Sequence, residues 1–161
     1  MTDTEFTRRL LSAYRTEIFG QALYRTLARL AADKRRRQKW RQLAALESQT
    51  RQRLALALHG TALPAGRSMW VFGVLAGLAM SVLPWRVAIR LLQAGARPAM
   101  QALERFAAQA AGRDPALLDY LLQHERVQLE FAAHELAGRP AQSIAGVAAL
   151  LAVPEPSYPV R

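Results

Sequence analysis

Twelve acidic residues, three histidines and no cysteine set the limits of the chemistry this 161-residue chain can do. Without cysteine there are no disulfides, no thiolate zinc sites and no cysteine nucleophile. The stretch His124–Gln128 reads HERVQ. It is one residue short of the H-E-x-x-H zinc-hydrolase pattern, because Gln128 stands where the second histidine belongs. A second pair, Glu130 and His134, lies further along the same expected helix. At about 100° per residue, Glu130 and His134 fall roughly 140° to 180° from Glu125, beside Gln123 and Arg126. They read as a solvated face or an exposed ion pair. His124 lies about 100° from Glu125, at the flank of the core stripe, and Gln128 about 60° from it. HERVQ is therefore better read as an inward E-x-x-Q than as a damaged zinc motif.

Two further glutamates behave like Glu125. One stripe runs Phe6, Leu10, Ala13, Glu17, Gly20, Tyr24, Leu27, Ala31, in steps of four and three. A second runs Trp40, Leu43, Glu47, Thr50, Leu54, Ala57, and a third Leu118, Leu122, Glu125, Leu129, Ala132, Leu136. Each is a heptad-like core seam broken midway by a single glutamate. An unpaired buried carboxylate costs several kcal/mol. Several together must hold protons or share a cation. A metal ion is one answer; a polar cluster neutralised by arginine, by Tyr14 or Tyr24, or by water is the other. A fourth helix offers only Glu104, beside a Leu103, Phe106, Ala110 stripe, facing either the core edge or solvent. His59 ends a helix and suits the C-terminal dipole better than a metal.

The elements that must position these residues are helical throughout. Apolar residues make up 52% of the chain and β-branched residues are few, so the expectation is one all-α domain over residues 1–153, with a loose tail over 154–161. Helices are predicted over Thr4–Ala32; from the N-cap Asp33 to Leu58; over Met69–Trp85; from there to Ala94, with an interruption at Gly95–Pro98; over Met100–Ala111; over Pro115–Ala137; and over the short apolar segment Ala141–Val153. Met69–Trp85 carries no charge and contains Gly73-Val74-Leu75-Ala76-Gly77, a G-x-x-x-G. At 17 residues it falls short of the roughly 20 a membrane span needs. It suits a buried central helix, or one lying on a membrane surface. An exposed G-x-x-x-G face would also suggest a homodimer.

The net charge is +10, which favours anionic partners through long-range attraction. The arginines are nevertheless spread along the chain. The densest run, Lys34–Arg41, falls at a helix–helix corner with Trp40 as its only aromatic, so a nucleic-acid role is not the expectation. The polar, acid-bearing N-terminus lacks the pattern of a signal peptide. The expected location is cytoplasmic, peripheral to the inner membrane if the apolar helix meets lipid.

E-x-x-G-x-x-x-Y from Glu17 to Tyr24 and L-A-A-L-E-x-x-T from Leu43 to Thr50 resemble the first two helices of ferritin-like proteins. Rubrerythrins and hydroxylases of the demethoxyubiquinone type look most similar; the apolar middle and the later His-Glu helix are similar to the latter, which work at a membrane surface. The resemblance implies an antiparallel four-helix bundle with a di-iron site, built from a Glu on each of two helices and an E-x-x-H on each of the other two. By position Glu17, Glu47 and Glu125 match ligands, and Glu104 is the third helix's only candidate. Thr50 and Gln128 stand at the two histidine positions, and their oxygens are weak substitutes for imidazole around iron. The resemblance thus implies an altered site holding iron or manganese with oxygen ligands, with His124 and Tyr24 beside it, or a vestigial site holding none. The function implied is an iron-dependent oxidoreductase acting on a hydrophobic substrate. The alternatives are a non-catalytic bundle binding a membrane surface or a protein, and an RNA-related role, since some ferritin-like enzymes modify tRNA.

Overall fold

A computed structural model describes residues 1–154. The expected loose tail lies outside the described residues from 155 onward; Pro154 itself is held, its carbonyl accepting from Arg53 at 2.7 Å. The described residues form six helices and no strand: α1 Asp3–Leu30, α2 Lys34–Ala57, α3 Arg67–Ser81, α4 Trp85–Gln109, α5 Pro115–Leu136 and α6 Ala145–Leu151.

Short connections join α1 to α2 and α4 to α5, and each of these pairs packs together. α1 begins at Thr2, whose hydroxyl accepts from the Glu5 N–H. Asp33 caps α2, its carboxylate accepting from the Arg36 N–H at 2.8 Å. Arg37 closes that corner by donating twice to the Ala31 carbonyl, at 3.0 and 2.8 Å. Half of the basic run is thus engaged: besides Arg37, Arg36 lies over the Trp85 ring and Lys39 pairs with Glu135, and Trp40 is buried. Asp114 caps α5, with Pro115 in the first turn, as its D-P dipeptide suggests.

α1 packs against α2 and α3, and α5 against α4, α2 and α6. Trp40 is the centre of the core. Its ring stacks on Tyr24 from α1 and meets Trp85 of α4 and Phe131 of α5, with centroids 5.0 to 6.0 Å apart. Four helices therefore meet at one residue.

Two expectations are corrected here. α4 is a single helix that runs through Gly95 and Pro98. A proline costs a helix the bond to the carbonyl four residues back. Residues 94, 95, 97 and 98 are all exposed, so the freed Ala94 carbonyl is open to solvent and the helix continues. α3 is not a buried central helix. Only Gly73 and Gly77 are buried, while Trp70, Val71, Phe72, Leu75 and Leu78 are exposed, Phe72 by 60%. Its glycines are consumed within the chain. A Cβ on Gly73 would meet the Phe19 carbonyl oxygen at 2.4 Å, and one on Gly77 the Thr26 Cβ at 2.7 Å. The G-x-x-x-G therefore seats α3 on α1 and gives no argument for a dimer. Among the described residues no helix is long and apolar enough to cross a membrane.

Candidate metal centre

Glu17 on α1 and Glu47 on α2 are buried and face each other across the first helix pair. Gly20 makes this possible. A Cβ there would lie 2.0 Å from Glu47 Oε2, so the small residue one turn beyond Glu17 leaves the slot that Glu47 fills. The third member is His124 of α5, only 2% exposed. Its Nε2 lies 3.6 Å from Glu17 Oε2 and 3.5 Å from Glu47 Oε1. One ligand atom from each of the three residues falls within 4.8 Å of the others. Glu17, Glu47 and His124 thus form a buried group that could hold a metal ion.

The hydrogen bonds around the group run in one direction. Tyr24 donates its hydroxyl proton to Gln128 Oε1 at 2.7 Å. The Gln128 amide nitrogen donates to Glu47 Oε1 at 2.8 Å and meets His124 Nε2 at 2.7 Å. An amide NH2 cannot accept, so Nε2 must present its lone pair and the ring proton sits on Nδ1. Nδ1 then donates to Thr50 Oγ1 at 2.8 Å, leaving the Thr50 hydroxyl to meet the Tyr120 oxygen at 3.3 Å. Arg53, stacked over the Tyr120 ring, holds that end. Thr50 is therefore the partner of Nδ1: its hydroxyl accepts the ring proton while the other imidazole nitrogen faces the carboxylates, the usual arrangement behind a ligating histidine.

The electrostatics are those of carboxylates short of a cation. Burial raises Glu17 well above the carboxylate range, and repulsion from Glu47 and Glu125 adds to it. Burial pushes Glu47 up to about 8, with hydrogen bonds from Glu17 and Gln128 pulling it back. Burial lowers His124 to about 3, so the ring is neutral and supplies no counter-charge. Burial, then the neighbouring carboxylates, raises Tyr24, which stays a proton donor. Among the described residues, Glu17 Oε2, fully buried, has no hydrogen-bond partner. That is the atom a cation would satisfy.

The other expected residues are placed differently. Glu125 stands outside the group, on the wall of a cleft of about 250 Å³ between α1, α4 and α5 that reaches Glu17 and His124. Burial raises it to about 7. Glu104 is exposed on α4 and is not part of the group. Glu130 is exposed, His134 is half-buried and His59 is exposed. The inward seam of α5 is Leu117, Leu121, His124, Gln128, Phe131, Glu135, one residue round from the Leu118–Glu125–Leu136 stripe. Three of its six members are polar, so a search for apolar stripes favours the neighbour. The signal that could have found it is the same four-three spacing in Leu117, Leu121 and Phe131. The resemblance's di-iron donor set is incomplete here: one imidazole, two carboxylates in the group and one at its edge fit one ion better than two.

No family model matches the chain, and no curated protein or solved structure matches it either.

Proposed function

We propose that this protein is a ferritin-like helical bundle that binds a redox-active metal, iron or manganese, through core carboxylates and His124, and acts as an oxidoreductase on a hydrophobic substrate. The observation that carries the reading is the convergence of Glu17, Glu47 and His124, with Glu17 Oε2 and Glu47 Oε1 near His124 Nε2 and the Glu17 oxygen left unpartnered among the described residues. A mixed oxygen–nitrogen set suits first-row divalent ions. When bound, such an ion would supply oxygen binding and one-electron chemistry. The chain's own residues supply the rest. Gly20 admits Glu47, and Thr50 orients the imidazole. The largely apolar α1–α4–α5 cleft, lined by Ala13, Leu103, Phe106 and Leu121, gives a hydrophobic molecule a path to the group. Glu125 on its wall is placed to hold or release a proton there.

Metal analysis of the purified protein tests this. Iron or manganese near one equivalent in the wild type, lost in Glu47→Ala, is expected. Equal trace amounts in both would contradict it.

A second reading, binding to an anionic membrane surface, is favoured by α3. Its outer face exposes Trp70, Val71, Phe72, Leu75 and Leu78, with Val82 just beyond. From Ser48 to Leu103 there is no acid, and the exposed Arg67, Arg86, Arg90 and Arg97 lie in that stretch. Apolar insertion and charge attraction act together on such a face. Flotation with anionic liposomes at low salt, lost in Phe72→Asp, is expected. Equal recovery of both proteins with the lipid would contradict the role of this face.

A further inference from the structure

The position of Gln128 bears on how many ions the group takes. Its NH2 lies within hydrogen-bond distance of both Glu47 Oε1 and His124 Nε2, two of the three atoms a cation would seek. An N–H donor and a cation cannot satisfy the same lone pairs, so cation binding requires that the amide turn. The terminal torsion of glutamine is broad and roughly two-fold. A half-turn puts Oε1 where Nε2 stands, facing Glu47 and His124, and puts the NH2 against the Tyr24 hydroxyl. That hydroxyl now donates to Oε1 at 2.7 Å, and it can equally accept from an N–H. Tyr24 thus supports both orientations, which a phenylalanine could not do.

We propose that the centre takes a single divalent cation and that Gln128 is its fourth ligand, through the amide oxygen after this half-turn. The proposal rests on the reading that Glu17, Glu47 and His124 bind metal. The donor count supports one ion. Two carboxylates, one imidazole and one amide oxygen neutralise a divalent charge and complete four positions. Among the described residues, a second ion would have Glu125 alone at its side, because Glu104 is exposed on α4. The residue that breaks the E-x-x-H pattern at 128 is then a ligand of different chemistry, and the imidazole comes from His124 on the same helix.

Calorimetric titration of the chelator-treated full chain with Co(II), beside Gln128→Leu and Gln128→Glu, tests this, together with Zn(II) titration of protein labelled with ¹⁵N-glutamine. The expected result is one Co(II) per chain, about tenfold or more weaker in Gln128→Leu and retained in Gln128→Glu. The Gln128 NH2 resonance pair, identified by its absence from Gln128→Glu, should shift on addition of Zn(II). The shift is read on the wild type, so it holds even if Gln128→Leu does not fold. Two ions per chain would overturn the single-ion assignment. One ion with unchanged affinity in Gln128→Leu and an unmoved NH2 pair would overturn the ligand role while leaving the metal site standing. No binding to the wild type would overturn both.

Discussion

Two buried regions of this molecule are built around carboxylates and treat them in opposite ways. Glu135, near the end of α5, has every need met. Lys39 pairs with it, the Trp85 indole donates to it at 2.8 Å and Ser143 donates at 2.5 Å. Its ties reach α2, α4 and the segment before α6. About three turns earlier on the same helix face, His124 meets Glu17 and Glu47, two carboxylates with no lysine or arginine paired to them among the described residues and one oxygen wholly unpartnered. A fold can bury a carboxylate for structure if it supplies the counter-charge. Where it gathers two and supplies a neutral imidazole instead, protons or a cation from outside the chain must neutralise them.

Opposite signs on mutation are the sharpest way to break this comparison. Lys39→Met strands Glu135 in the core and should cost about 3 kcal/mol or more in urea unfolding. Glu47→Gln, measured in chelator, removes a repelling buried acid and should leave stability unchanged or raise it by about 1 kcal/mol, while abolishing metal binding. Equal losses from both would mean that both regions are structural.

Gly20→Ala attacks the second region alone. The new Cβ meets Glu47 Oε2 at 2.0 Å, so Glu47 must leave its place. Metal affinity should fall at least tenfold, while the melting temperature moves little, because alanine favours the helix over glycine.

The pH dependence separates the regions in a third way. Glu47 at about 8, Glu125 at about 7 and the raised Glu17 hold protons in the folded chain that the unfolded chain, near 4.5, has lost. Their contribution is full below about 4.5 and is lost as pH rises through 7 and 8. His124 works the other way: with its folded value near 3 against 6.5 unfolded, its contribution is full above 6.5 and lost as pH falls toward 3. Between 6.5 and 8 only the carboxylates act. The chelator-treated protein should therefore melt at lower temperature as pH rises across that window, and added Mn(II) should remove the slope. A flat profile in chelator would count against carboxyls that hold protons when no cation is bound. Thr50→Val is the mildest test, removing the acceptor of the His124 Nδ1 proton. It should cost about 1 kcal/mol in stability and weaken metal binding about tenfold; unchanged affinity would mean that the ring needs no such support.

Much of this is legible in the sequence where a seam is mostly apolar. The stripes through Glu17 and Glu47 stand out because seven neighbours in the first and four in the second are apolar or small, and both glutamates are buried as those stripes imply. The caps at Asp33 and Asp114 and the D-P start of α5 are local chemistry and stand where the sequence places them. The inward seam of α5 reads one residue off because it carries His124, Gln128 and Glu135, and periodicity cannot favour a seam that function has made polar. That slip moves Glu125 into the centre and His124 to the flank. α4 reads as divided at Gly95–Pro98 because a proline's cost depends on whether the freed carbonyl meets water, a tertiary fact. The exposure of α3 is equally hidden: its sequence is apolar all round, and only packing shows that the glycines, not the aromatic residues, face the protein.

The central claim is that Glu17, Glu47 and His124 together hold a divalent ion. Anomalous diffraction at the manganese edge, from crystals grown with Mn(II), tests it most directly. The expected result is one peak bounded by Glu17 Oε2, Glu47 Oε1 and His124 Nε2. No peak there at saturating Mn(II), with Gln128 still donating to Glu47 and His124, would contradict it.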